Sequence, residues 1–195
     1  AGRMSLESLD SGRTVPSLSV WESRRDAGDL YTPAIRGRKF TPRLLGTRVL
    51  HPGPLRAVVE QRWRMTARSE RVDAAVQFIV DANAGFLRIR VSGENHARDH
   101  RLRLRLRTDV REGVTVADAA FGPVTRAAAS GPDFPQERRV PTAPLHRYVS
   151  RFSERAGATL YSVGLAEYES LKDGFAVRLV RAVGQALDLD LDAAA

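Results

Sequence analysis

Residues Glu94 to Arg107 read ENHARDHRLRLRLR, and this stretch decides the fold. From Arg101 to Arg107, arginine and leucine alternate without a break. A period of two places Leu102, Leu104 and Leu106 on one face of a β-strand and the arginines on the other. On a helix the same residues would scatter around the axis and leave no dry side. The reading is therefore a strand whose leucine face is buried and whose arginines are exposed or paired with carboxylates. The lead-in, GENHARDH (Gly93–His100), reads as a loop that returns the chain antiparallel from a strand around Ile89.

Alternation of the same kind recurs along the chain. Leu18 and Val20 alternate with serines, Leu87, Ile89 and Val91 with arginines, and Val114 and Val116 flank Thr115. Phe175, Val177 and Leu179 alternate with Ala176 and Arg178. Gly, Pro, Asn and Asp bound these runs, as they bound strands. Arg56 to Ala84 lacks Gly and Pro and is rich in helix formers. Even so, Val59, Trp63 and Met65 share one face at period two, and Val76, Phe78 and Val80 share another. The segment reads as two long strands joined by a turn in ARSERVD (Ala67–Asp73). Two proline-bearing segments read as loops: Thr32 to Pro54 and Gly131 to Pro144. The end, LDLDLDAAA, alternates Leu and Asp from Leu187 to Asp192 and reads as a final edge strand with an acidic face. Strand follows strand rather than helix, which points to an all-β antiparallel sandwich and away from βαβ units.

At 195 residues and 43% apolar content, the chain fits one domain spanning 1–195 with a sizeable core. It has no cysteine, which excludes disulfide scaffolds, thiolate metal sites and cysteine nucleophiles and fits a reducing, cytoplasmic setting. AGRMSLESLD has no apolar core of a signal peptide, and no apolar run is long enough to cross a membrane. Met4 is not the first residue, so the chain reads as a fragment of a larger protein. The net charge of +8 invites a nucleic-acid reading. The pattern argues against one. All but two of the 31 basic residues are arginine, and they are interleaved with 23 acidic residues along the whole chain. There is no RRM-like aromatic pair, zinc-finger spacing or KH loop.

Catalytic constellations are scarce. His96 and His100 share a loop with Asp99 and can be read as metal ligands, or as members of a hydrogen-bonded polar turn. The second reading is the stronger, because no further ligand spacing accompanies them. Paired carboxylates at Asp26 and Asp29, or at Glu167 and Glu169, have the residue types of glycosidic acid–base chemistry. Turn-capping and solvated roles are the more ordinary fate of such pairs. Tyr31 follows an acidic Gly-containing turn and precedes Pro33, a position suited either to stacking on a sugar or to plain packing.

Taken in order, several segments resemble the C-terminal β-sandwich region of glycoside hydrolase family 38, the retaining α-mannosidases. RDAGDLY (Arg25–Tyr31) is similar to its D-x-G-D-x-Y segment. ENHARDHRLRLRL (Glu94–Leu106) is similar to its asparagine followed by DHRLR. ADAAFGPVTR (Ala117–Arg126) is similar to D-x-x-F-G-x-V-x-R. GLAEYES (Gly164–Ser170) and FAVRLVRAVG (Phe175–Gly184) resemble GL-x-EYE followed by A-x-x-L-x-R-x-VG. GPLRAVVEQRWRM (Gly53–Met65) fits the preceding strand region. The likeness runs from about Trp21 to Gly184, and the DAGDLY form is nearest the bacterial branch that includes mannosylglycerate hydrolases. After Gly184 it lapses: QALDLDLDAAA stands where a Trp-Leu-Ser-Arg-like continuation is the family pattern.

The resemblance implies a galactose-mutarotase-like supersandwich, truncated of its later strands. It also implies a catalytic α/β domain outside this chain, which carries the catalytic carboxylates and a divalent metal, usually zinc. No catalytic residue, metal ligand or cofactor is then expected here. The expected partners are that catalytic domain and an α-mannoside, with neither nucleic acid nor membrane, and with oligomers allowed. Tyr31 and Asp29 are the residues the resemblance assigns to substrate binding. The alternative is a stand-alone carbohydrate-binding or assembly module without catalysis.

Overall fold

The computed structural model describes residues 2–29, 33–126 and 141–183. Among these residues every regular element is a strand. In chain order they are β1 (Leu6–Glu7), β2 (Thr14–Val15), β3 (Ser19–Asp26), β4 (Ile35–Lys39), β5 (Thr41–Pro52), β6 (Arg56–Ala67), β7 (Glu70–Asp81) and β8 (Arg88–Asn95). There follow β9 (His100–Arg107), β10 (Val114–Ala119), β11 (Gly122–Arg126), β12 (Thr142–Pro144), β13 (Tyr148–Phe152), β14 (Gly157–Tyr161), β15 (Glu167–Leu171) and β16 (Gly174–Ala182). The all-β, antiparallel fold expected from the sequence is borne out. Its backbone divides into two compact units: Ala1–Gly2, Ser23–His100 and Ala182–Ala195 in the first, Arg3–Glu22 and Arg101–Arg181 in the second.

The first unit is built on the sheet β5-β6-β7-β8. Its centre is the long hairpin expected over Arg56–Ala84. β6 and β7 pair antiparallel from Arg56↔Asp81 to Ala67↔Glu70 with no break in register. Arg68 turns the corner with φ 54°. The pairs Gln61↔Val76, Trp63↔Ala74 and Met65↔Val72 therefore share a face. Met65, Val72, Ala74, Val76 and Phe78 are buried there, while Val58 and Ile79 are buried on the opposite face. Gln61 is buried too, and its Nε2 donates to the carbonyl of Gly2 at 3.2 Å.

Two expectations fail in this unit. Residues 33–54 are not a loop, since Ile35–Lys39 and Thr41–Pro52 are strands. The prolines misled because β5 is an edge strand, where a residue without an N–H removes no ladder bond. Pro42 pairs with Met65 and Pro52 with Ala57, and β5 is bulged between Leu44 and Gly46 and again between Val49 and His51. Nor does Gly93–His100 close a hairpin. β8 pairs with β7, whereas β9 belongs to a different sheet.

The second unit contains the sheet β11-β10-β13-β14 and the run β12-β15-β16-β9-β3. The far half of β3, within the first unit, carries β4. Leu102, Leu104 and Leu106 are buried as expected, with Val110, Val149, Tyr168, Phe175 and Val177. The rings of Tyr168 and Phe175 meet edge to face at 6.3 Å. The opposite face of β9 is not a solvated arginine surface. Arg101 and Arg103 are buried, and Arg103 bonds Glu22 of β3 (Nη2–Oε1 2.6 Å) and Glu169 of β15. Burial disfavours the Arg103 charge, yet its bonds to Glu169 and Glu22 outweigh this and raise its pKa above the ordinary value. Arg105 and Arg107 are more exposed and face Asp173 at 3.9 and 3.0 Å.

In the second proline segment, Thr142–Pro144 forms β12 against β15 instead of a loop. The rest of Gly131–Pro144 up to residue 140, and the Leu–Asp alternation of Leu187–Asp192, lie outside the described residues.

Candidate functional site

Within the first unit, two motifs separated by some seventy positions come together. The amide of Asp26, at the end of β3, donates to the carbonyl of Asp99 at 2.6 Å. Asp26 is the first aspartate of RDAGDLY, and Asp99 opens DHRLR. Each motif is closed by its own side chain. Asp26, 0% exposed, accepts with Oδ1 from the amides of Gly28 (3.1 Å) and Ala34 (2.9 Å), so one carboxylate holds both amides. Asn95 accepts from the amide of Ala97 at 3.2 Å and donates to its carbonyl at 3.0 Å, the local pattern of an Asx turn. Asp99 takes φ 47°, a left-handed conformation that aspartate tolerates better than most residues.

Beneath this junction His100 is 0% exposed. Its Nε2 lies 2.7 Å from Ser23 Oγ, and its ring lies 4.5 Å from that of Phe40. Burial lowers its pKa from 6.5 to about 4, only partly offset by the charge of Glu70. The imidazole is thus neutral near pH 7 and belongs to the packing. His96 instead faces Glu94 at 3.2 Å at the surface. The metal reading of His96, Asp99 and His100 therefore gives way to the polar-turn reading. Among the described residues no three His, Asp or Glu side chains gather to hold a metal ion.

An open pocket of ≈ 590 Å³ lies over the junction, lined by Ala27, Gly28, Ala97, Arg98, Asp99, Ala182 and Val183. Its charged walls are Arg98 and Asp99, with Arg25 3.8 Å from the Asp99 carboxylate. Asp29 follows Gly28 and is half-buried at the pocket's margin in sequence. Tyr31 lies outside the described residues.

The remaining carboxylate pair is engaged elsewhere. Glu167 bonds Arg178 at 2.7 Å and Glu169 bonds Arg103, while Tyr168 between them is in the core. The EYE motif is therefore a structural element of the second unit. So is Asp118 of ADAAFGPVTR, whose buried carboxylate accepts from Arg147 at 2.8 Å. What the sequence reading missed is the anchoring role of Asp26 and the lining role of Arg98. An aspartate two residues before a glycine was the available signal for the first, since Asx side chains bond backbone two residues on.

No family model matches the chain. A protein of Halalkalibacterium halodurans named "Putative mannosylglycerate hydrolase" is 29% identical over 143 residues, which is 73% of this chain and 15% of that protein. Among solved structures, an alpha-mannosidase from Enterococcus faecalis V583 matches 93% of this chain with a TM-score of 0.79 at 19% identity. A glycosyl hydrolase family 38 protein from Enterococcus faecalis matches 94% with a TM-score of 0.76 at 20% identity. This chain spans 24% and 25% of those two chains, and at such identities the likeness is one of fold. In motif order and in fold, the chain is thus similar over most of its length to a partial domain of family 38 glycoside hydrolases.

Proposed function

We propose that this chain is a β-sheet segment of a family 38-type glycoside hydrolase that cleaves α-mannosidic bonds with retention of configuration. In this reading the catalytic carboxylates and a zinc ion belong to an α/β domain of the same polypeptide, and the setting is cytoplasmic. The observation that carries it is the match of nearly the whole chain to about a quarter of an alpha-mannosidase. The order of the motifs supports the family 38 part of this reading.

The chain's own part is to border the sugar site. Retaining hydrolysis needs two carboxyl groups about 5 Å apart across the scissile bond. The candidate pairs here have other work: Asp26 holds loop amides, and Glu167 and Glu169 hold arginines. Asp29 and Tyr31 are left as the substrate contacts, in the sequence that follows Asp26. A tyrosine there supplies an apolar face for the C–H side of a mannose and a hydroxyl for one hydrogen bond. Asp29 supplies an acceptor for sugar hydroxyls.

The test is Tyr31→Phe, Tyr31→Ala and Asp29→Asn in the longer polypeptide that contains this chain. Stacking and one hydrogen bond predict a fall in kcat/KM of roughly tenfold or more for Tyr31→Ala at unchanged Tm. Activity that is untouched, or that falls only in step with unfolding, makes these packing residues and defeats the assignment.

A further inference from the structure

We propose that Leu187–Asp192 adds an antiparallel strand to the first unit's sheet by pairing with the free edge of β8. β8 stands last in the order β5-β6-β7-β8 and pairs with β7 from Val72↔Asn95 to Ile79↔Arg88 with no bulge. The amide of His96 carries that ladder on to the carbonyl of Arg71 at 3.0 Å. Hydrogen-bonded positions alternate along an antiparallel strand, so residues 94, 92, 90 and 88 bond β7. The amides and carbonyls of Ile89, Val91, Gly93 and Asn95 therefore point away from it. A straight edge of eight residues without proline is a ready template for another strand. Its two faces differ. Ile89 and Val91 stand opposite Phe78 and Val76 on the buried face, and Arg88 and Arg90 line the other.

LDLDLD has the same two-sided pattern with the opposite charge: leucines on one face, aspartates on the other. The path of the chain brings it to this edge. At the end of β16, Ala182 and Val183 line the pocket shared with Ala97, Arg98 and Asp99, just past the end of β8. Counting back along β8 from Val183 opposite Ala97 sets Leu187, Leu189 and Leu191 opposite Gly93, Val91 and Ile89. The same register sets Asp188, Asp190 and Asp192 opposite Ser92, Arg90 and Arg88. Every leucine then falls on the buried face and every aspartate on the arginine face, and a slip of one residue would reverse both. Opposite charges directly across a strand pair stabilise it. Asp192 shares Arg88 with Asp81, which lies 3.0 Å from that guanidinium. This complementarity of charge selects an acidic strand for the edge, and the chain supplies one a few residues beyond Val183.

The chain has no cysteine, so an engineered pair reads without background. Arg90→Cys with Asp190→Cys occupies a non-hydrogen-bonded position of the new pairing, where Cα atoms lie about 4.5 Å apart, close enough for a disulfide. Arg90→Cys with Leu189→Cys is the control, because its side chains leave opposite faces. In a glutathione redox buffer the 195-residue chain should cross-link the first pair within one molecule at least about tenfold faster than the second. Amide hydrogen exchange followed by NMR gives a second readout on a chain ending at Ala186. There the amides of Ile89, Val91 and Gly93 should exchange at least about tenfold faster than in the 195-residue chain, while those of Arg90 and Ser92, bonded to β7, keep their rates. Equal cross-linking of the two pairs overturns the proposal. So do cross-links that form only between molecules, which give the edge to a second copy, and exchange at Ile89, Val91 and Gly93 that truncation leaves unchanged.

Discussion

The amide of Asp26 donates to the carbonyl of Asp99 at 2.6 Å, and this bond joins the end of β3 to the start of the Arg–Leu strand. Two stretches that look unrelated in sequence thus build one wall. Through its carboxylate, Asp26 also accepts from the amides of Gly28 and Ala34. Replacing it with alanine orphans two amides, which predicts a loss of about 1–3 kcal/mol of stability. Asp26→Asn keeps a side-chain oxygen acceptor and should cost less. Denaturant midpoints of the two variants check this, and equal losses would mean that charge alone matters at this position.

On β9 both faces are expected to be sensitive, for different reasons. Leu104→Ala removes a fully buried side chain and should cost about 2–5 kcal/mol. Arg103→Ala takes the arginine from Glu169 and leaves Glu22 only the more distant Arg101 at 3.9 Å, and should cost about 3–5 kcal/mol. Arg105→Ala breaks a long, half-exposed pair and should cost less than about 1 kcal/mol. Chemical denaturation of the three variants gives the order directly.

His100 makes stability depend on pH. Its folded pKa, about 4, lies below its unfolded value of 6.5, so the unfolded chain takes up the proton first. The stabilisation is full above pH 6.5 and is lost as the pH falls from 6.5 through about 4, amounting to about 3 kcal/mol. Asp73, Asp81 and Asp118, whose arginine bonds hold their pKa values below 3.8, add their losses only in more acid solution. His100→Gln should flatten the slope of the denaturation midpoint between pH 6.5 and 4. A slope that persists in the variant would place the titrating group elsewhere.

Gly174 is required by close approach. A Cβ there would lie 2.0 Å from the carbonyl oxygen of Leu106 and 2.9 Å from Cα of Arg107, both backbone atoms of β9. Gly174→Ala should therefore cost about 1–3 kcal/mol through overpacking. Gly46→Ala, with no atom within 4 Å of the added methyl, is the control expected to be near neutral. Thermal denaturation of the pair checks both.

Much of this fold was legible in the residues. Alternation located β6, β7, β9, β10 and β16, because a side-chain period of two is a geometric consequence of the strand. It also identified the leucine face of β9. It could not show that the arginine face is covered as well, since the covering carboxylates, Glu22 and Glu169, come from distant positions. β5 was hidden by prolines that an edge strand accepts. The candidate site was legible only in part. RDAGDLY was recognised, but the meeting of Asp26 with Asp99 is a long-range backbone contact that no local pattern encodes.

The central claim is that this chain serves α-mannoside hydrolysis without holding the catalytic machinery. Its most direct test is release of nitrophenol from an aryl α-mannoside, with the configuration of the released mannose followed by proton NMR. The account predicts that the longer polypeptide turns the substrate over and releases the α-anomer first, and that the 195-residue chain alone does not. Turnover by the chain alone, abolished by a point substitution within it, or no turnover by the longer polypeptide, would contradict it.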